Sequence, residues 1–428
     1  MDRQALLDAY LADPDLPLAP AIEAEQSRQG GDVDLVIVDV ALALLRQADM
    51  AAAERWVIRA TRDLDFTNAR FLAAVWAMAD RDVAFLSSDL FDQYLRDGGE
   101  DREAHEFAIS RYFVRGDHDR VRRTYRRAKR WFDPLTMNYH ALFSSGVCLM
   151  DEGDAAGAMA IFGELHRRDP SDEILMGNIS NLARYHGVPE AIALYRAKTE
   201  SLVKALPAYA DDEDTRTSVV VDLARQSVED VRRALERRGL CHVKGGCDPT
   251  VAETILARIQ QPDHAAYPAT LHEDVTAALP SLFRFDARQL AADSLGRPVE
   301  LDPKSSTVRK VDPSDADSFT PFHQDVTAFQ RMLVNVWTPL TRAGGDYPTV
   351  QFVAKRIQHV EQTMLSRPGY NLIAIEEETI LEKYGDLLYE ATDVAPGDCV
   401  IFYGTTIHRS TNLEQATKPR FNLEIRWT

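Results

Sequence analysis

The first half of the chain carries a recurring turn, and this recurrence constrains the fold more than any other feature. A turn with a small or acidic residue separates helical segments at intervals of 33 to 37 residues. The five positions are Asp49, Asp82, Asp117, Asp154 and Val188. Such a period is typical of helical hairpins that stack in series, because each hairpin can bury its apolar face only against its neighbours. We therefore predict an α-solenoid over residues 1–205.

A second regularity follows most of these turns, where a small or β-branched residue precedes an aromatic residue by four positions. The pairs are Ala52 and Trp56, Val121 and Tyr125, Ala158 and Phe162, and Ala191 and Tyr195. Residues at i and i+4 share a helical face, so the small residue admits a neighbouring helix and the ring fills the space. This half resembles a run of tetratricopeptide repeats, which implies a surface for a peptide or protein partner. A brace for the second domain, or a dimer contact, is an equally open alternative.

Charge is unevenly distributed in this first part of the chain. Seven basic residues crowd one predicted helix: Arg120, Arg122, Arg123, Arg126, Arg127, Lys129 and Arg130. They predict either a solvated helix face or a docking site for an acidic partner, such as the chain's own acids at 211–214. Those acids follow Pro207 and have no apolar face, so we predict a linker at 206–218. The formal net charge of −18 argues against nucleic acid as the main partner.

Residues 219–428 have a different pattern, in which a few helices are followed by many short strands. Helices are predicted at 228–238, 249–259 and 282–295. Strands are predicted at 240–244, 307–311, 322–326, 333–339, 350–354, 372–375, 388–392, 399–403 and 421–427. Short strands separated by turns such as Pro396-Gly397-Asp398 favour a closed or double-sheet fold. The predicted fold class is thus α+β and multidomain, with a double-stranded β-helix (jelly roll) and flanking helices after the solenoid.

One short motif in the second half has the residue types of a metal site. On a strand, His323 and Asp325 would project to one face and Gln324 to the other. A distant histidine, His408, completes a set of two imidazoles and one carboxylate. This set is the facial triad that holds Fe(II) and leaves three coordination positions open. A lone His-x-Asp occurs often by chance, so its sequence context decides how much it means.

That context matches a known family. The matching stretches are PFHQD at 321–325, VNVWTPL at 334–340, APGD at 395–398, and His408-x-Ser410 followed by Pro419-Arg420. In this order they resemble the phytanoyl-CoA dioxygenase family of Fe(II)/2-oxoglutarate oxygenases, over residues 219–428. The resemblance implies that His323, Asp325 and His408 bind iron, that 2-oxoglutarate chelates the same ion, and that O2 is consumed. It also implies hydroxylation of a substrate C–H bond, with succinate and CO2 as coproducts.

The resemblance also implies an anchor for the cosubstrate. The far carboxylate of 2-oxoglutarate needs a fixed cation, and a guanidinium offers two parallel, charge-assisted hydrogen bonds that a lysine cannot. Arg420 occupies the family's position to within one residue, and Ser410 would add a hydroxyl. Arg409 and Arg426 remain competitors, because strand alternation places Arg426 on the same face as Arg420.

Three further residues are candidates for cofactor binding. Asn335 and Trp337 alternate on one face of a predicted strand, so Asn335 would bond the cosubstrate and Trp337 would wall the cavity. Arg309 would hold an anionic substrate or a cosubstrate carboxylate.

Asp325 bears on the reaction, because relatives that halogenate carry a small residue at that position to admit chloride. Its carboxylate therefore favours hydroxylation.

Location and partners follow from what the sequence lacks. We expect neither export nor membrane insertion, since there is no signal-like start and no apolar run of about 18 residues. The cysteines, Cys148, Cys241, Cys247 and Cys399, have neither disulfide-framework nor zinc spacing, so we expect them to be reduced in the cytoplasm.

Two other classes of function stay open. The protein is either an interaction scaffold with a non-catalytic jelly roll, or a cupin-like metal isomerase or hydrolase that uses the same three ligands without 2-oxoglutarate. The placement of Arg420 and Ser410 is what separates an oxygenase from the second of these. The substrate itself stays undetermined, either a small molecule or a group carried on a peptide or carrier protein.

Overall fold

The structure is a computed structural model that divides into two compact units, Met1–Asn178 and Ile179–Thr428. It describes residues 3–13, single positions between 20 and 60, and the stretches 102–207, 217–261, 269–361 and 372–428. The boundary between the units lies earlier than the end of the repeats predicted at residue 205. Most of the linker predicted at 206–218 lies outside the described residues.

The described part of the first unit is helical. Its helices are α1 (Arg3–Ala12), α2 (Arg102–Val114), α3 (His118–Ala128), α4 (Tyr139–Glu152), α5 (Ala155–Arg168) and α6 (Glu173–His186), the last of which crosses the unit boundary. Two of the predicted turn acids are N-caps. Asp117 accepts a hydrogen bond from Arg120 N at 3.1 Å, and Asp154 accepts one from Gly157 N at 2.9 Å. The recurring acid thus satisfies a free N–H at the start of a helix. Asp49 and Asp82 lie outside the described residues.

The small-to-aromatic pairs are buried wherever they fall in the chain. Helices α4 and α5 illustrate the packing, because Ala158 and Phe162 of α5 are both fully buried. A Cβ added to Gly146 of α4 would lie 2.5 Å from the Phe162 ring. Glycine at that position lets the two helices approach closely. This packing fits a helical hairpin, and the tetratricopeptide assignment stays a prediction.

The basic helix α3 is partly neutralised within its own unit. Arg126 donates to Glu152 at 2.6 Å, and Arg122 bonds Asp119 and lies 3.6 Å from the same Glu152. These pairs are exposed, where each contributes little to stability. The predicted docking of an acidic partner on this helix stays untested.

The second unit combines helices with two sheets. Its helices are α7 (Pro189–Lys204), α8 (Val228–Arg238), α9 (Pro249–Ile259), α10 (Glu273–Leu282), α11 (Ala287–Leu295), α12 (Asp325–Phe329) and α13 (Glu377–Tyr384). Its strands are β1 (Val220–Asp222), β2 (Leu240–Lys244), β3 (Ala269–Thr270), β4 (Thr307–Val311), β5 (Val334–Pro339), β6 (Thr349–Val353), β7 (Leu388–Glu390), β8 (Cys399–Tyr403), β9 (His408–Thr411) and β10 (Arg420–Trp427). Among the described residues no helix has the length and apolarity needed to cross a membrane.

The strands form a seven-stranded sheet in the order β1-β2-β8-β5-β10-β4-β3 and a three-stranded sheet in the order β7-β6-β9. All pairs are antiparallel except β1 with β2. Phe402 and Val400 of the large sheet pack against Phe352 and Val350 of the small one in a common core. Helices and sheets in one unit confirm the predicted α+β class, and the jelly-roll assignment stays a prediction.

Alternation along the strands separates two environments. Val334 and Val336 of β5 belong to the core that the flanking helices cover, whereas Trp337 belongs to the core between the sheets. In β10, Leu423 and Ile425 likewise face the helices. The intervening residues of both strands are therefore left for the space between the sheets, where a site can form.

Helix α8 shows how local signals fix an element. Ser227 and Asp230 form a capping box at its start. Gly239 ends it with a left-handed φ of 74°, and a Cβ there would lie 2.7 Å from the Lys355 carbonyl oxygen. Only glycine fits both demands, so the chain passes directly from α8 into β2.

Two predicted elements of the surrounding fold differ from the structure, and a third, the strand expected at 322–326, is described with the site. The helix expected at 282–295 begins only at Ala287, because Phe283 pairs with Cys247 in a β-bridge and Asp286 caps the helix by accepting from Gln289 N at 2.9 Å. The strand expected at 372–375 does not form, and Leu372 has a left-handed φ of 63°. Such a φ is incompatible with an extended strand.

Candidate metal centre

The two histidines of the predicted triad are joined through their backbones. His323 N donates to His408 O at 3.0 Å, and His408 N donates to His323 O at 3.1 Å. This reciprocal pair is an isolated antiparallel bridge, and it brings the two imidazole centroids within 4.2 Å of each other. Residues far apart in sequence are thus locked side by side.

Each imidazole is oriented by a backbone carbonyl. His323 Nδ1 lies 2.8 Å from Pro321 O, and His408 Nδ1 lies 3.0 Å from Thr406 O. Because a carbonyl only accepts, Nδ1 must carry the proton, and this leaves the Nε2 lone pair free for a metal. Burial and the neighbouring His323 ring lower the pKa of His408 to about 4, so that ring is neutral at pH 7.

Asp325 would supply the third ligand atom. Its Oδ1 lies 3.4 Å from His323 Nε2, and one ligand atom from each of His323, Asp325 and His408 falls within a 4.8 Å cluster. Burial alone would raise the pKa of Asp325. The Arg426 guanidinium and the two imidazoles outweigh burial and hold that pKa well below its usual range, so the group is a carboxylate. Its Oδ2 has no hydrogen-bond partner among the described residues.

The local backbone differs from the strand expected at 322–326. The chain is extended through Gln324, whose φ is −116° and ψ 127°, and then turns into helix α12 at Asp325. His323 and Asp325 still face the same cavity. A helix of five residues is too short to leave a periodic apolar pattern, which is why sequence reasoning predicted a strand.

Gln324 points away from the metal ligands, as expected. Its amide accepts from Glu361 N at 2.9 Å and donates to Thr405 O at 2.7 Å and His359 O at 3.0 Å. Glu361 is itself buried and accepts hydrogen bonds from Lys383 and Tyr384 at 2.8 and 2.6 Å. These hydrogen bonds therefore fix Gln324, which lies between His323 and Asp325 in the sequence, on the side facing away from the cavity.

All eight predicted site residues line one cavity of about 400 Å³, open mouth included. They are His323, Asp325, His408, Ser410, Asn335, Trp337, Arg309 and Arg420. Arg409 and Arg426, named above as competitors of Arg420, also line the cavity. The sequence did not single out four further lining residues: Thr320, Val350, Phe402 and Glu424. Glu424 could have been found from alternation, because it shares a strand face with Arg420 and Arg426 in β10.

Arg420 is a buried cation that bonds only neutral oxygens among the described residues. It is 1% exposed, and its guanidinium donates to Thr349 O at 2.6 Å and to Asn422 Oδ1 at 3.2 Å. Burial and the nearby Arg309 lower its pKa to about 9, so it remains charged at neutral pH. No carboxylate of the described residues pairs with it. A buried charge without a partner is costly, and an anionic ligand would offset that cost.

Two other arginines of the cavity, the buried Arg426 and the half-buried Arg309, do have carboxylate partners. Arg426 donates to Glu424 at 2.8 Å, and its Nε lies 3.7 Å from Asp325 Oδ2. Arg309 lies 3.4 Å from Glu424 and donates to Ser318 O at 3.0 Å. Their positive charges are thus matched by carboxylates of the chain itself.

Hydroxyl and amide groups complete the cavity. Ser410 and Thr320 approach each other at 3.1 Å. Asn335 is 1% exposed, yet neither of its amide atoms has a hydrogen-bond partner among the described residues, and Trp337 Nε1 also has none. Buried polar atoms are nearly always satisfied, so these groups indicate a space that a polar ligand fills.

Comparison with known proteins gives structural likeness only. No protein-family profile matches the chain, and no curated protein matches its sequence. One similar structure is the epimerase SnoN in complex with Fe3+, alpha ketoglutarate and nogalamycin RO, at 16% identity and TM-score 0.36, covering 47% of this chain and 83% of that one. EvdO2 from Micromonospora carbonacea var. aurantiaca, complexed with 2-oxoglutarate, has 14% identity and TM-score 0.36, covering 46% and 89%.

A third similar structure is SnoK, a non-heme alpha ketoglutarate dependent carbocyclase from nogalamycin biosynthesis, at 16% identity and TM-score 0.35, covering 48% of this chain and 84% of that one. The predicted cofactors, iron and 2-oxoglutarate, are the ones that the SnoN complex contains. At these scores the likeness does not identify a reaction, and the function rests on the residues of the cavity.

Proposed function

We propose that this protein is an Fe(II)- and 2-oxoglutarate-dependent oxygenase that hydroxylates a C–H bond of a substrate still to be identified. One observation carries the proposal. Two imidazoles and a carboxylate, with their ligand atoms clustered, share a buried cavity with an arginine that no carboxylate of the described residues pairs with. Metal and dianion each have a matching set of groups, and the two sets lie in the same cavity.

The residues fit the two groups as follows. His323, Asp325 and His408 would hold Fe(II) on one side and leave three positions for 2-oxoglutarate and O2. When bound, the iron and 2-oxoglutarate would supply the chemistry that reduces O2, with one oxygen atom going to the substrate and the other to succinate as CO2 is released. Arg420 would pair with the far carboxylate of 2-oxoglutarate, and Ser410 would donate a hydroxyl to it.

Charge pairing favours Arg420 over Arg426 as that anchor. Arg426 already faces Glu424 and Asp325, so a further carboxylate beside it would compete with two of its own partners. Arg420 bonds only neutral oxygens of the chain. The remaining N–H groups of its guanidinium suit a carboxylate that accepts two hydrogen bonds.

We further propose that the chain is related to the phytanoyl-CoA dioxygenase family, on the motifs around these residues. The carboxylate at Asp325 supports hydroxylation over halogenation, because chloride has no vacated position to occupy. Four free, buried cysteines fit a cytoplasmic location, where thiols stay reduced.

For the helical repeats we propose recruitment of a protein partner or of a substrate carried on a peptide or carrier protein. The concave face of stacked hairpins suits such partners. The basic residues of α3 that remain exposed would favour an acidic partner. A small free substrate would need no such surface.

The test is anaerobic titration of the full chain with Fe(II) and then 2-oxoglutarate, followed by visible absorption. A charge-transfer band that needs both additions supports the proposal, and His408→Ala should abolish it. Iron binding without any effect of 2-oxoglutarate would favour a metal isomerase or hydrolase instead. A chain that binds neither would favour the scaffold. Succinate formation with candidate substrates then identifies the reaction.

A further inference from the structure

Helix α7 makes polar contacts with helix α12, the short helix that begins with Asp325. The Tyr195 hydroxyl donates to the Thr327 carbonyl, and Gln330 Nε2 donates to Thr199 Oγ1 at 2.7 Å. We call these four residues the α7 clasp. All lie within the second compact unit, so the clasp belongs to the fold that holds the metal centre.

The clasp is shielded from water. Tyr195, Thr199 and Thr327 are each at most 2% exposed, and Gln330 is 8% exposed. Buried hydrogen bonds of this kind are held in a low-dielectric environment and define orientation closely. Gln330 also ends α12 in the left-handed region with φ 53°, a conformation that persists in a non-glycine residue only when its surroundings hold it.

The clasp reaches the metal ligands through α12 and not through the cavity. Thr327 Oγ1 donates to Gln324 O at 2.6 Å, which ties the clasp to the residue between His323 and Asp325. Tyr195, Thr199 and Thr327 instead line a separate cavity of about 730 Å³, open mouth included. None of the clasp residues lines the metal cavity.

Packing alone does not explain the Tyr195 hydroxyl. Tyr195 is the aromatic member of a repeat-like pair, and at the matching position of α5 the ring is Phe162, which has no hydroxyl. A phenylalanine therefore satisfies this pattern of helix packing. The hydroxyl adds one bond, and that bond goes to α12.

We propose that Tyr195 and Gln330 are positioning residues that fix α12, so that the Asp325 carboxylate meets the two imidazoles in a geometry suited to a metal. This proposal rests on the proposed metal site. It makes the last helix before the linker a working part of the metal centre.

The test uses the full chain with Co2+ as a spectroscopic probe, because its visible absorption reports coordination geometry. Tyr195→Phe removes one oxygen and keeps the ring. We expect Co2+ affinity to fall by about 3- to 10-fold, the effect of one hydrogen bond, with a changed absorption spectrum. Gln330→Ala should act in the same direction. Tyr185→Phe is the matched control, since Tyr185 is 59% exposed on α6, and it should leave both affinity and spectrum unchanged.

Thermal unfolding of the metal-free variants separates positioning from general stability. If both variants bind Co2+ with wild-type affinity and spectrum, the proposal is overturned, even where the melting temperature falls. If Tyr195→Phe fails to fold, Gln330→Ala carries the same test alone. Should wild type bind no Co2+, or His408→Ala bind it equally well, the metal site itself fails, and both proposals fall together.

Discussion

Helices α5 and α7 carry the same sequence pattern and use it differently. In α5, Ala158 and Phe162 are buried within a helical hairpin, where the ring lies against Gly146 of α4. In α7, Ala191 and Tyr195 are equally buried, but the ring reaches α12 with its hydroxyl. A repeat pattern thus predicts which face of a helix is buried. It does not predict what that face is buried against.

Buried polar groups sharpen the same contrast. Ser145 in the first unit is fully buried, and its hydroxyl donates to Ala141 O of its own helix at 2.8 Å. In the second unit, Asn335 and Asp325 retain atoms without a hydrogen-bond partner among the described residues. Ser145 is satisfied within its own helix, whereas the amide of Asn335 is left for a ligand in the cavity that it lines.

The largest expected effect tests whether polar burial in the second unit serves metal binding. His323→Ala, Asp325→Ala and His408→Ala should each abolish high-affinity Co2+ or Fe(II) binding, since three protein ligands are the minimum of this site. Calorimetric titration measures the metal affinity of each variant. Circular dichroism should show the fold unchanged. Retention of tight binding in all three variants would show that the triad is assigned wrongly.

The next effect tests the apolar role of α5. Phe162→Ala should destabilise the first unit by about 3–5 kcal/mol, because it leaves a cavity where a buried ring was. Hydrogen exchange of peptides from each unit distinguishes the two regions. Metal affinity should stay at the wild-type value. A fall in metal affinity would contradict the distinction between α5 and α7, because it would mean that the Phe162 ring also supports the metal site.

Acid should weaken the second unit through Glu361. Burial alone would raise the pKa of Glu361, but hydrogen bonds from Lys383, Tyr384 and His359 outweigh it and lower that pKa to about 2. The unfolded value is higher, so the stabilisation is present above about pH 4.5 and is lost as pH falls toward 2. The loss is at most about 3 kcal/mol.

Urea unfolding between pH 6 and pH 2.5 measures this loss. Glu361→Gln should remove most of the pH dependence, and the exposed Glu253→Gln should not. An unchanged profile in Glu361→Gln would assign the acid sensitivity to other groups.

The smallest effect separates the two arginines of β10. Arg420→Lys keeps the charge but loses the planar fork, so the affinity for 2-oxoglutarate should fall by about 1–3 kcal/mol. Arg426→Lys is the matched control, and it should disturb Co2+ or Fe(II) binding more than 2-oxoglutarate binding. The opposite result would identify Arg426 as the cosubstrate anchor.

Sequence predicted the parts of this molecule that are governed by local rules. Helix 228–238 was placed correctly because Ser227, Asp230 and Gly239 are unambiguous caps. Strands 307–311 and 399–403 were placed correctly because they are short runs with several β-branched or aromatic residues. Helix α12 was missed because a single turn has no period. The clasp was missed because Tyr195 and Thr327 are distant in sequence, and no local pattern encodes which surface a buried ring meets.

The same distinction between local and long-range information applies to the candidate site. His323, Asp325 and His408 could be named from residue types and motif order. Strand alternation could have placed Glu424 on the face that carries Arg420 and Arg426, but its pairing with both Arg309 and Arg426 is seen only in the structure. Which of several arginines lacks a carboxylate partner is a property of three-dimensional pairing, and only the structure separates Arg420 from Arg426.

The reciprocal backbone bonds between His323 and His408 have a consequence for how this protein folds. A slip of one residue between these segments would replace His408 with Ile407 or Arg409 opposite His323, and the side chains there would point to the other face. The proposed metal site would then form only in chains that have paired correctly. Co2+ added during refolding would thus stabilise correctly paired chains and leave chains with a shifted register without bound metal. The metal would thereby select for the native strand pairing.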